Sequence, residues 1–197
     1  MDSMKLKLDA YCFALAEYGF DRDAIRKLQL QSAGMSRSFA IPYIVESLTG
    51  RKMSNRAQAK VLQLFTEEDE RLRPQMNLFQ GARDFLVAMR NRIPLVVVTG
   101  TPQEVIDETM HFFSIGVYFR EVCGYPPVKA EHLQKQLQKR NLRPEQTLYV
   151  GDAIKDFEAA QAVGMPFIGI NHGENPFAGL PIEREFRGLG DLVSQFG

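Results

Sequence analysis

Apolar positions in the first third of the chain recur at the three- and four-residue spacing of one-faced helices. Met4, Leu8, Tyr11, Leu15 and Tyr18 predict a helix over 4–18, with Asp2-Ser3 as its cap and Gly19 as its stop. Asp21 opens a second helix through Ile25, Leu28 and Leu30, stopped by Gly34. Ser36 caps a third, carrying Phe39, Ile41, Tyr43, Ile44 and Leu48 and ended by Gly50; Pro42 is tolerable there only in the first turns. Ser54 caps a fourth with Ala57, Val61, Leu64 and Phe65, which fades into the charged run 67–73. The pattern predicts a small all-helical unit over 1–75.

After Pro74 the period changes. Gly81 precedes a helix through Phe85, Leu86 and Met89. Leu95-Val96-Val97-Val98 is a continuous β-branched-rich run, the mark of a strand buried on both faces. Thr99-Gly100-Thr101-Pro102 closes it and opens a helix with Val105, Ile106 and Met110. A short strand is predicted over 118–122, a helix over 129–140 with Leu133 and Leu137 inward, a strand over 147–150 and another over 166–170. The helix after Asp152 carries Ile154, Phe157, Ala160 and Val163 on one face. A loop with Gly173, Pro176 and Gly179 leads to a last short helix over 189–196. Strand–helix alternation over 76–197 predicts an α/β unit, a parallel doubly wound sheet with helices on both faces.

Polar residues gather at the predicted strand ends, where ligands bind in open α/β sheets. Thr99 and Gly100 end one strand, Lys129 opens the helix after the next, and Asp152 and Asp156 follow the third. A hydroxyl and helix N-terminal amides can hold phosphate oxygens, and a lysine adds a compact positive charge. Two carboxylates one helical turn apart suit Mg²⁺, which takes one or two carboxylates with waters and substrate phosphate. Each residue also has a plain structural role. Thr99 can finish a β-branched strand, Gly100 can serve the turn, Lys129 can sit at a helix end, and Asp152 and Asp156 can cap a helix and favour its dipole.

Composition narrows the partners. Lys+Arg 24 balances Asp+Glu 24, so no net charge recruits nucleic acid or an anionic membrane. No apolar run approaches the length of a membrane span. The first residues have no long apolar core like that of a signal peptide. Cys12 and Cys123, far apart and without metal-type spacing, read as reduced buried thiols of a cytoplasmic protein.

Three stretches resemble motifs two, three and four of the haloacid dehalogenase (HAD) superfamily, in its phosphoglycolate phosphatase and β-phosphoglucomutase-like branch. They are Val96-Val97-Val98-Thr99-Gly100-Thr101-Pro102, Gly124-Tyr125-Pro126-Pro127-Val128-Lys129-Ala130-Glu131-His132-Leu133 and Val150-Gly151-Asp152-Ala153-Ile154-Lys155-Asp156. The four-helix unit is similar to that branch's helical cap. The resemblance implies a HAD-like Rossmannoid core and a Mg²⁺-dependent phosphatase of a small phosphorylated metabolite. Thr99 and Gly100 would bind the transferring phosphoryl group, and Lys129 would neutralise it. Asp152 and Asp156 would serve the metal, with Asp156 alternatively supporting the lysine. Ser36-Arg37 resembles a cap segment that can face the active site, so Arg37 becomes a candidate substrate contact; a solvent-side arginine is the plain alternative.

The family's first motif, an Asp-x-Asp pair ending a central strand, supplies the nucleophile and the general acid–base. Asp2-Ser3 matches the end of the link that follows it, so the strand and both carboxylates are expected before Met1. Asp9 is a remote substitute, because Tyr11 stands at the second Asp position and the helical register runs on. The expectation is a chain with little or no activity. Its sheet would lack the strand between 95–98 and 147–150, leaving apolar edges open to self-association. The flanking strands could instead close on each other, or a neighbouring chain could donate one. A non-catalytic phosphate- or protein-binding module and a phosphomutase remain alternative readings, because fold does not fix function.

Overall fold

The computed structural model describes residues 1, 3–173, 176–182 and 184–196 and divides into two compact units, Met1–Leu78 and Phe79–Gly197. Asp2, read above as part of a cap and of a motif ending, lies outside the described residues.

The first unit holds helices α1 (Met4–Ala14), α2 (Arg22–Gln31), α3 (Arg37–Thr49) and α4 (Asn55–Leu72). After α1 the chain tightens into a 3₁₀ turn, Ala16–Tyr18, and ends at Gly19 with φ 65°, a conformation glycine adopts at little cost. Asp21 caps α2, its Oδ1 accepting from the amides of Asp23 and Ala24 at 2.9 and 3.1 Å. Ser54 caps α4 through Ala57 N–H at 3.2 Å. Ser36 occupies the cap position of α3 without that bond, and its hydroxyl pairs with Ser38 at 3.1 Å instead. Pro42 sits inside α3, past its first turn. Proline has no N–H for the carbonyl four residues back. That carbonyl, Ser38 O, receives Gln58 Nε2 from α4 at 2.8 Å. The charged run continues α4 as far as Leu72 rather than ending it. Two bonds of 2.6 and 2.7 Å from Arg71 to Glu68 hold that turn. Leu8, Tyr11, Leu15, Ile25, Ile41, Ile44, Val61 and Phe65 form the core.

The second unit runs α5 (Ala82–Met89), β1 (Val96–Pro102), α6 (Gln103–Phe112), β2 (Glu121–Tyr125), α7 (Lys129–Arg140), β3 (Tyr149–Gly151), α8 (Ile154–Ala162), β4 (Phe167–Ile170), β5 (Arg184–Phe186) and α9 (Leu189–Phe196). Every pairing is parallel, but the described strands form two sheets, β1-β2 and β3-β4-β5. No ladder joins β1 to β3. Side chains alternate faces along the larger sheet. Tyr149 and Phe167 join Leu133, Leu137 and Phe157 of α7 and α8. Ile168 and Ile170 join Leu192 of α9, with Phe85 and Val150 packed against them.

Three local expectations are corrected. Residues 116–118 form a 3₁₀ turn, and the second strand starts at Glu121, because Arg120 N–H bonds Leu95 O at 2.8 Å and sets the register Val96 to Glu121. β5 gave no apolar signal, being a short edge strand that begins Arg184-Glu185. The run 96–98, expected to be buried on both faces, is only partly buried, as are all residues of β1. Cys123 is buried and Cys12 half-buried; both are free thiols.

Candidate active site

The sequence places Lys129 and Asp156 on the inner faces of their helices. Lys129 is four residues before buried Leu133 on α7, and Asp156 is four before buried Ala160 on α8. The two helices pack together, and Lys129 Nζ donates to Asp156 Oδ1 at 2.6 Å with the side chains 11% and 6% exposed. Asp156 Oδ1 also accepts Tyr149 O–H at 2.8 Å, and Oδ2 accepts Ala153 N–H at 3.1 Å, closing the start of α8. Gly151 makes room for this carboxylate: a Cβ there would collide with Asp156 Cβ and lie 2.6 Å from its Cγ.

Both Asp156 oxygens are thus engaged by protein donors. Asp152, in the turn before α8, is 56% exposed, with His172 Nε2 at 4.0 Å from its Oδ2. His172 follows β4 and stacks on Phe79 with ring centroids 3.8 Å apart and planes 13° from parallel. Within β1, which runs on through Pro102 where the sequence predicted a turn after Val98, Thr99 Oγ1 accepts Thr101 N–H and donates to Thr101 Oγ1, both at 3.2 Å. The two hydroxyls share one bond, so one O–H proton of the pair remains to offer a ligand. β2 is fixed beside this part of β1 by Gln103, which accepts Gly124 N–H at 2.6 Å and donates to Val122 O at 3.1 Å. Gly124 permits the approach, since a Cβ there would sit 2.6 Å from Gln103 Cα.

Tyr149 is the functional residue that periodicity missed. Burial, then the neighbouring charge of Asp156, pushes its phenol far above the usual range. It therefore stays protonated and donates, to Asp156 at 2.8 Å and more weakly to Val98 O at 3.3 Å. The available signal was a tyrosine inside an apolar strand, directly before Val150-Gly151-Asp152. His172 carried no signal beyond following a strand.

Of the predicted site residues, the α/β unit joins Lys129 and Asp156 directly, while Thr99 and Gly100 lie within β1 and Asp152 lies in the turn before α8. Arg37 belongs to the helical unit. Its guanidinium lies over the Phe65 ring at 5.1 Å, donates to Thr66 Oγ1 at 3.1 Å and faces Asp69 Oδ2 at 3.7 Å. Burial lowers its pKa from the ordinary value, with the carboxylate of Asp69 opposing that shift. Asp9 lies on α1, ion-paired with Arg22 at 2.6 Å.

The profile of the haloacid dehalogenase-like hydrolase family matches residues 5–170. The chain belongs to this family. Relatives include the phosphoglycolate phosphatase of Pseudomonas putida, 30% identical over 55% of this chain and 41% of that protein. The phosphoglycolate phosphatase of Escherichia coli is 29% identical over 61% of this chain and 51% of its own. The chain thus spans about half the length of the curated relatives it matches. Among solved structures, a predicted phosphoglycolate phosphatase from Haemophilus somnus superposes with TM-score 0.83 at 18% identity, covering 100% of this chain and 92% of that one. A haloacid dehalogenase-like hydrolase from Streptococcus pneumoniae gives 0.81 at 17%, with the same coverage. These likenesses establish the HAD fold. No helix among the described residues is long and apolar enough to cross a membrane.

Proposed function

We propose that this chain carries the phosphate-binding and metal-binding side of a HAD phosphomonoesterase acting on a small phosphorylated metabolite of the phosphoglycolate type. The observation that carries this reading is the buried Lys129–Asp156 pair, which holds an ammonium among the strand ends of a family member. Lys129 spends one N–H on Asp156 and has two left without a protein partner among the described residues, enough to receive phosphate oxygens. The Thr99–Thr101 hydroxyl pair offers a third donor.

Mg²⁺ fits this donor set through Asp152. Its carboxylate is exposed, while Asp156 is engaged on both oxygens. Among the described residues no group of three or more His, Cys, Asp or Glu is arranged for a metal, so waters and substrate phosphate would complete the shell. Bound there, the ion would neutralise phosphoryl charge. Asp156 acts as a positioning residue for Lys129.

With Asp156 held by Lys129, Tyr149 and Ala153, it is not free to attack phosphorus. From the family resemblance we expect the 197-residue chain to turn over p-nitrophenyl phosphate or phosphoglycolate with Mg²⁺ only at background level. Strong turnover abolished by Asp152→Asn, or by Asp9→Asn, would point to another nucleophile. Stabilisation by inorganic phosphate in a thermal-shift titration, lost in Lys129→Met, supports the anion site; no shift in the native chain refutes it.

A further inference from the structure

Asp156 is engaged on both oxygens, so a cation at the start of α8 finds one exposed carboxylate there, Asp152. A second protein ligand has to come from a neighbouring strand end, and β4 is that neighbour. It pairs in parallel with β3, Gly151 opposite Gly169, so the residues that follow both strands emerge at the same edge of the sheet. His172 lies just past β4, and its Nε2 is 4.0 Å from Asp152 Oδ2. The segment around this imidazole is tied down. Asn171 N–H donates to Phe186 O of β5 at 2.7 Å, and Gly173 N–H donates to Asn171 Oδ1 at 2.8 Å. The ring itself lies flat against Phe79, with centroids 3.8 Å apart. Stacking takes up a face of the imidazole and leaves its in-plane edge, where a nitrogen lone pair points, directed elsewhere. A separation of 4.0 Å is too long for a direct hydrogen bond between His172 and Asp152. It is closer to the spacing of two ligands on one ion. Bonds of about 2.1 Å at a tetrahedral angle put nitrogen and oxygen about 3.4 Å apart, a closure that rotation of the exposed Asp152 carboxylate supplies.

We propose that Asp152 and His172 form a two-ligand site for a divalent transition-metal ion of the nickel and zinc type, which competes with Mg²⁺ for Asp152. The inference rests on the reading of Asp152 as a metal carboxylate and adds the chemistry of the second ligand. A carboxylate with waters suits Mg²⁺, whereas an imidazole nitrogen suits Ni²⁺ and Zn²⁺ and offers Mg²⁺ little. Waters or an anion complete the shell, since no group of three or more metal-type side chains is arranged among the described residues. His172 is then a selectivity residue: one carboxylate serves either ion, and the imidazole favours the transition metal. A histidine that only packs on Phe79 beside a carboxylate confers no such preference.

The test is titration calorimetry on the whole chain with Ni²⁺ and with Mg²⁺. Ni²⁺ is the probe because thiols such as Cys12 and Cys123 select Zn²⁺ more strongly. The native chain should bind Ni²⁺ saturably and more tightly than Mg²⁺, and added Mg²⁺ should lower its apparent affinity. His172→Gln should weaken Ni²⁺ about tenfold or more, since even an outer partner of a metal ligand is worth about 10–100-fold, and should leave Mg²⁺ binding unchanged. Asp152→Asn should weaken both ions. His111→Gln, at an exposed position on α6, should change neither. Proton NMR of the Ni²⁺-loaded chain should show far-shifted imidazole resonances that vanish in His172→Gln. Unchanged Ni²⁺ affinity in His172→Gln or Asp152→Asn, loss in His111→Gln, or imidazole resonances that survive without His172 would overturn the site. The phosphate response of Lys129 is read without metal and fails separately. Ni²⁺ binding through His172 with no phosphate response would sink the phosphatase reading alone, and a phosphate response with no His172-dependent Ni²⁺ binding would sink this site alone.

Discussion

β4 and β1 are both short apolar parallel strands, and they have different fates. β4 lies between β3 and β5, and all four of its residues are buried. Among the described residues β1 has β2 on one side only, and none of its seven residues is buried. The difference is not in the residues, since valines are at least as suited to a central strand as Phe-Ile-Gly-Ile. It lies in the number of neighbours. A strand becomes core when ladders on both sides bring helices over both faces, and composition records a preference that topology must still satisfy. The same contrast separates the buried Lys129–Asp156 pair, supported by α7 and α8, from the less enclosed Thr99 on β1.

The comparison can be broken experimentally. The largest effect should come from Asp156→Asn, which leaves the Lys129 charge largely buried and unmatched. A loss of about 3–5 kcal/mol in denaturant unfolding is expected, and a change below about 1 kcal/mol would show that the pair is not enclosed in solution. Ile168→Ala on β4 should cost about 2–4 kcal/mol, while Val97→Ala on β1 should cost about 1 kcal/mol or less. Equal losses would remove the distinction between the two strands. Gly151→Ala should cost about 1–3 kcal/mol by pressing on Asp156. Tyr149→Phe should cost about 1 kcal/mol near neutral pH. It also carries a pH signature. The folded Tyr149 value is raised, so above the unfolded tyrosine value of about 10 the unfolded chain releases a proton that the native state keeps. Stability must therefore fall as pH rises past about 10, and the slope should be shallower in Tyr149→Phe. Tyr11, raised by burial in the helical unit, contributes the same sign and remains in that variant.

Much of this was legible in the chain. Lys129 at the start of α7, Asp152 before α8 and the caps at Asp21 and Ser54 follow from residue type and spacing. What spacing could not convey was partnership. Nothing local distinguishes Asp156 as the partner of Lys129 from Asp156 as a metal ligand, since both need an inward carboxylate in the first turn of a helix. Tyr149 was hidden because its hydroxyl acts across strands, between Val98 and Asp156, where sequence separation carries no period. The interval between β1 and β3 followed from family resemblance and not from periodicity, which sees each strand alone.

Pro42 bears on how the helical unit tolerates change. By withholding a donor it exposes one acceptor on α3, and Gln58 from α4 answers it. A slip of α4 along α3 by one turn would leave that carbonyl dry and unanswered, whereas sliding apolar side chains past one another would cost little. The proline thus works as a key cut into a smooth shaft. It fixes the axial setting of two helices whose greasy contacts alone would allow several.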